Sequence, residues 1–175
     1  MVEDVSLQTL LTYLTLISIP VGVVYHIMTL NNTRKNQQLT LETRQAQLFM
    51  QLYLHLGSRE MQRNMLEVIS IQEWDDPADY WEKYGPENNP EATVSYIQLD
   101  TFFEGLGILV KRGLIDPLLV EDLMAGDVMA YWEKMEPIAN TIRERYSPFF
   151  SEYVEYLYNE VKAVYEQQHP ELKAE

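Results

Sequence analysis

The chain has 175 residues, a net charge of −14 and no cysteine. The missing cysteine excludes disulfides, thiolate metal sites and cysteine nucleophiles, and the acidic excess argues against binding to phosphate backbones. That excess is uneven: residues 31–63 carry five basic against two acidic side chains, a net of +3, whereas residues 64–175 carry a net of −15.

Val5–Thr33 contains no Asp, Glu, Lys or Arg. Its middle, residues 10–30, is about the 20 residues that a helix needs to cross a bilayer core. The eleven Leu, Ile and Val there favour insertion by about −3 to −7 kcal/mol, partly offset by Thr, Ser, Pro, Gly and His. A cleaved signal peptide expects a basic n-region and a small-residue cleavage site; the chain begins Met1-Val2-Glu3-Asp4 and offers neither. A core helix is the other explanation, but an uncharged run of this length is unusual in a chain of this size. The reading is a single-pass anchor contacting lipid through residues 10–30. Arg34, Lys35 and Arg44 follow the segment and no Lys or Arg precedes it. The positive-inside rule then places the N-terminus outside an inner or plasma membrane and the remainder in the cytoplasm. The basic strip attracts anionic lipid while the acidic remainder is repelled by it. His26 lies near the basic end, where a neutral imidazole reaches the interface. Pro20 frees the Leu16 carbonyl, which is tolerable where neighbouring groups re-satisfy it.

Residues 34–168 read as one all-α domain of about five to seven helices, with 169–175 a tail. In Gln37–Leu56, Leu39, Ala46, Phe49, Tyr53 and Leu56 follow at steps of 7, 3, 4 and 3, beside a second stripe of Leu41, Leu48 and Leu52. That is a helix with a wide apolar face. Gly57-Ser58 ends it and caps the next, which carries Met61, Met65, Val68 and Ile69. Asp76-Pro77, Asn89-Pro90, Asp116-Pro117 and Ser147-Pro148 each place an N-cap residue before a proline suited to the first helical position, predicting four helix starts. Gly85 and Gly113 mark two stops.

Tyr96–Val110 is apolar almost all round and should be the most buried helix. Gly105 and Gly107 within it each cost about 1 kcal/mol relative to Ala, so both should permit close approach of another element. Glu104 needs a partner there; Arg112, Arg143 and Arg145 are available, and a buried Glu104–Arg143 pair is the expectation. Such a pair suits a binding site or a structural clasp. Asp76–Pro86 is echoed at a shift of 51 by Asp127–Pro137, each with a Tyr-Trp pair (Tyr80-Trp81, Tyr131-Trp132) between a capped start and a proline stop. Two aromatic anchors wedging short helices into one core account for this. The last helix should run from Pro148 to about Gln167, with a core seam of Phe150, Val154, Leu157, Val161 and Val164.

Catalytic signatures are absent from the sequence. The histidines are His26, His55 and His169, and only Glu166-Gln-Gln-His169 has di-iron spacing. No phosphate loop, dinucleotide fingerprint, nucleophile elbow or His-Glu-x-x-His occurs, and Asp75, Asp76 and Asp79 lack the pattern of a calcium loop. The reading therefore assigns no catalytic, cofactor-binding or metal residue.

Phe102-Phe103-Glu104-Gly105-Leu106-Gly107-Ile108-Leu109-Val110-Lys111-Arg112-Gly113, followed by Tyr131-Trp132 and Arg143, resembles a prokaryotic family catalogued as a domain of unknown function, number 4760. The resemblance covers roughly residues 35–165. It implies a small helical domain, often behind an N-terminal membrane helix, with no assigned reaction and no catalytic residues to carry over. The expectation is a membrane-anchored, cytoplasm-facing helical module that binds another protein or a second copy of itself, with no nucleic-acid role. The alternatives are a small subunit of a membrane complex, or a ligand-sensing or enzymatic domain with a pocket near Glu104, Arg143 and Trp132, to which Trp81 and Phe103 could contribute.

Overall fold

The computed structural model describes residues 7–170. Residues Met1–Asp4 and most of the 169–175 tail, which entered the reading above, lie outside the described residues. Among those described the fold is all-α: α1 (Leu7–Leu56), α2 (Arg59–Met65), α3 (Pro77–Tyr84), α4 (Pro90–Lys111), α5 (Pro117–Arg145) and α6 (Glu152–Gln168). A π-helical turn, Leu66–Ile71, continues α2. The chain divides into two compact units between Arg44 and Gln45.

Among the described residues the first unit is the part of helix α1 from Leu7 to Arg44. No residue from Leu7 to Arg44 is buried. One 18-residue window has a mean hydropathy of 1.7, and by length and composition the helix could cross a membrane. Pro20 sits inside it.

The second unit holds the core. The last turns of α1 bury Phe49 and Leu56. At the centre, α6 lies against both α4 and α5. Leu99, Phe103 and Leu106 from α4, Val120, Met124 and Ile138 from α5, and Val154, Leu157 and Val161 from α6 are each at most 1% exposed. Steps of three and four in the α4 and α6 sets, and of four and fourteen in the α5 set, put each set on one helical face. The Tyr96–Val110 run is not buried all round: Ile97 within it stays 52% exposed.

Three of the four Pro-marked starts form. Asp76, Asn89 and Asp116 accept hydrogen bonds from amides of the turns that follow, with Pro77, Pro90 and Pro117 in first place. Helix α4 ends where expected: Gly113 has φ +66°, and the Leu114 amide reaches the Leu109 carbonyl at 2.9 Å, closing a Schellman turn that only glycine adopts without strain. The Gly113 carbonyl also accepts from Gln45 Nε2 at 3.1 Å.

Two expectations fail. Helix α5 runs unbroken through Asp127 and Pro137, so the second half of the echo is neither a helix start nor a stop. Pro137 removes one amide and is carried by the packed helix around it. Ser147-Pro148 is the other: it opens a turn, and α6 begins only at Glu152, after Ser151 in the left-handed region (φ 52°, ψ 30°).

Candidate functional site

Three charged side chains from α4 and α5 converge on the start of α6. Gly107 allows them to, because a Cβ built there would overlap the Tyr153 carbonyl oxygen. The close approach foreseen for this helix is therefore made at Gly107. Gly105 has open space around it and plays no such part.

One turn before Gly107, Glu104 Oε2 accepts from the amides of Tyr153 and Val154, both at 2.9 Å. These are first-turn amides of α6, which have no acceptor within the helix. A carboxylate from α4 thus does the work of an N-cap side chain and also meets the positive end of the helix dipole. Ser151, at the N-cap position, makes no cap bond itself. Its hydroxyl donates instead to Asp100 Oδ1 at 2.6 Å, and the Tyr131 hydroxyl donates to the same oxygen at 3.4 Å.

Arg143 fastens the same segment from the other side. Its Nε donates to the Phe150 carbonyl at 2.8 Å and its Nη2 to the Ser151 carbonyl at 3.2 Å, while Nη1 pairs with Glu155 at 2.7 Å. The guanidinium lies 5.5 Å from the centre of the Trp132 ring, a cation–π distance. The expected direct Glu104–Arg143 pair is not formed. Each of the two holds backbone groups of residues 150–154, where amides and carbonyls left over at a helix start offer closer partners than another side chain.

Burial is the largest influence on both carboxylates and raises both pKa values. For Asp100 the hydrogen bonds from Ser151 and Tyr131 and the charge of Arg143 act against it. For Glu104 the α6 amides act against it, and the charges of Asp100 and Glu152 add to it. The Tyr131 hydroxyl is pushed well up by burial and then by Asp100. Together these bonds from Asp100, Glu104 and Arg143 hold the start of α6 against α4 and α5.

The aromatic candidates separate. Phe103 is fully buried, with its ring centre 4.9 Å from that of Tyr131, and Trp132 is 3% exposed beneath Arg143. Both are core residues. Trp81 is half-buried and donates from its indole to Thr141 Oγ1 at 3.0 Å. It lines a cleft of about 680 Å³ with Pro86, Asn88, Ile142, Arg145 and Tyr146. Arg145 lies 5.3 Å from the Tyr146 ring centre, and Tyr146 and nearby Phe149 are exposed by 73% and 71%.

A second polar cluster escaped the sequence reading. Asn64, 6% exposed, donates to Gln98 Oε1 at 2.5 Å and accepts from Ser95, whose hydroxyl also reaches Glu67 at 3.0 Å. It sits where α2 passes into the π turn. Lys134 closes that turn, donating to the Ile69 and Gln72 carbonyls at 3.2 and 2.6 Å. Among the described residues no group of His, Asp or Glu is arranged to hold a metal ion.

Residues 16–161 match a family described as Domain of unknown function (DUF4760), and the chain belongs to that family. No curated protein and no solved structure matches it.

Proposed function

We propose that this member of the family is a single-pass membrane anchor carrying a cytoplasmic protein-interaction module, and that the cleft beside Trp81 takes an apolar side chain of the partner. The anchor reading is supported by the uncharged stretch and the basic residues after it. The cleft is the observation that carries the interaction. Trp, Tyr and Arg are the residues in which interface hot spots are enriched, and here Trp81, Tyr146 and Arg145 share one concavity on the surface. A large aromatic left 73% exposed beside such a cleft is costly to hydrate and gains when a partner covers it. Arg145 at the rim suits a partner carboxylate or backbone carbonyl.

A pocket for catalysis or ligand sensing around Glu104, Arg143 and Trp132 has less support, since those side chains are engaged in holding α6. The test is affinity purification from native membranes followed by mass spectrometry, comparing the wild-type chain with Tyr146→Ala and Arg145→Ala. Both residues are exposed, so both variants should fold. Specific partners should be recovered with the wild type and depleted with the variants. Identical recovery from all three would remove the cleft from the account, and no specific recovery from any would remove the adaptor reading.

A further inference from the structure

Helix α1 carries a line of polar and small residues along its length. Within the apolar stretch, Thr12, Thr15, Ile19, Gly22, His26 and Thr29 follow at alternating steps of three and four, and the same steps continue through Thr33, Asn36, Thr40 and Thr43. Nine of these ten positions are polar or glycine, and none is charged although Arg34, Lys35 and Glu42 lie among them. Off the line, residues 13–28 hold only Tyr13, Ser18, Pro20 and Tyr25 besides Leu, Ile, Val and Met.

The period is informative. Alternating threes and fours average 3.5 residues, so on a straight helix the line would drift by about 20° per heptad. It stays in one interface only if two helices that share the repeat coil left-handed about each other. A face meeting only lipid and water has no reason to keep it. Gly22 adds a separate observation. Glycine costs helix propensity here and a Cβ would meet nothing within 4 Å, whereas a small residue lets a neighbouring helix come close. The Thr12, Thr15, Thr29, Thr40 and Thr43 hydroxyls each donate to the carbonyl four residues back at 2.8 Å. Their oxygens remain free to accept, and His26 and Asn36 on the same line bring donors.

We propose that this line is a self-association seam, on which the anchor helix of a second copy packs in parallel. The proposal rests on the anchor reading above and names one partner for it. A second copy has the same repeat by construction, is inserted in the same orientation, and sets His26 against His26 and Asn36 against Asn36 with no like charges opposed. A polar residue at such a seam fixes register and direction.

The chain's lack of cysteine makes a direct test available. Single substitutions to Cys at Thr12, Thr15, Gly22 and His26, and at Leu14, Ile17, Val21 and Val24 on the far side, are made in the full-length chain and oxidised in native membranes. Disulfide-linked dimer should be several-fold more abundant for the first set, and adding Gly22→Leu to the Thr15→Cys variant should lower its dimer several-fold. Equal yields from the two sets, no dimer, or adducts with other proteins in its place would overturn the seam while the chain stays in the membrane pellet after carbonate extraction. Release by carbonate would overturn the anchor, and the seam with it.

Discussion

Replacing Gly107 and Gly105 by alanine should move stability in opposite directions, although the two sit two residues apart on one helix. Alanine is intrinsically better than glycine in a helix interior by about 1 kcal/mol. At Gly105 nothing lies within 4 Å of the new methyl, so Gly105→Ala should stabilise by up to about 1 kcal/mol. At Gly107 the methyl overlaps the Tyr153 carbonyl oxygen, a backbone atom that cannot rotate away. Helices α4 and α6 must separate, at an overpacking cost of about 1–3 kcal/mol. Separation also lengthens the Glu104 bonds to the Tyr153 and Val154 amides, and a lost cap costs a further ~0.5–2 kcal/mol. Set against the propensity gain, Gly107→Ala should destabilise by roughly 0.5–4 kcal/mol. Urea unfolding of the full chain in detergent, followed by tryptophan fluorescence, reads the difference, with Gly126→Ala as a second open-space control. If Gly107→Ala is as stable as Gly105→Ala, the α4–α6 contact is not the tight crossing described above.

Ser151→Ala should cost about 1.5–3 kcal/mol, because the buried Asp100 carboxylate loses its 2.6 Å donor; an unchanged urea midpoint would mean that Tyr131 alone satisfies Asp100. Asp100 also sets a pH dependence. Its pKa is raised in the folded chain, so the folded state binds the proton more readily than the unfolded one. Its contribution is fully present below the unfolded pKa and is lost as pH rises through the folded value. The Asp100→Asn variant should therefore be at least as stable as the wild type at neutral pH and lose part of the gain seen on moving to mild acid, as urea midpoints at the two pH values will show. A steeper acid gain in the variant would reverse that sign. Pro137→Ala restores an amide to the middle of α5 and should raise stability by up to about 3 kcal/mol; a fall would show that the helix depends on the proline's own packing.

What could be read from the sequence was local in cause. Asp76, Asn89 and Asp116 cap helices using amides two or three residues away, and Gly113 stops one by its own backbone, so short motifs sufficed. Ser147-Pro148 carries the same motif and misleads, because the start of α6 is settled by Asp100, Glu104 and Gly107, about 50 residues earlier in the chain. The need of Glu104 for a partner was legible from its apolar surroundings, with Arg143 among the side chains on offer. The partners these two take were not, since pairing opposite charges overlooks the backbone groups that a helix start offers. The π turn at Leu66–Ile71 and the burial of Asn64 left no trace in composition or periodicity. Both depend on what α4 and Lys134 present to that turn.

The cap on α6 also bears on the order in which the domain can assemble. A helix with its own N-cap can form its first turn in an otherwise unfolded chain. Helix α6 lacks one and borrows an acceptor 49 and 50 residues away, so its first turn is stabilised only after α4 is in place. Closing so long a loop carries an entropic cost that local helices do not meet. Docking of α6 should then be a late step in folding. Substitutions at Glu104 should speed unfolding far more than they slow refolding. Until α6 arrives, α4 and α5 expose the apolar face that Val154, Leu157 and Val161 will cover, with Asp100, Glu104 and Arg143 waiting at the end where its first turn docks.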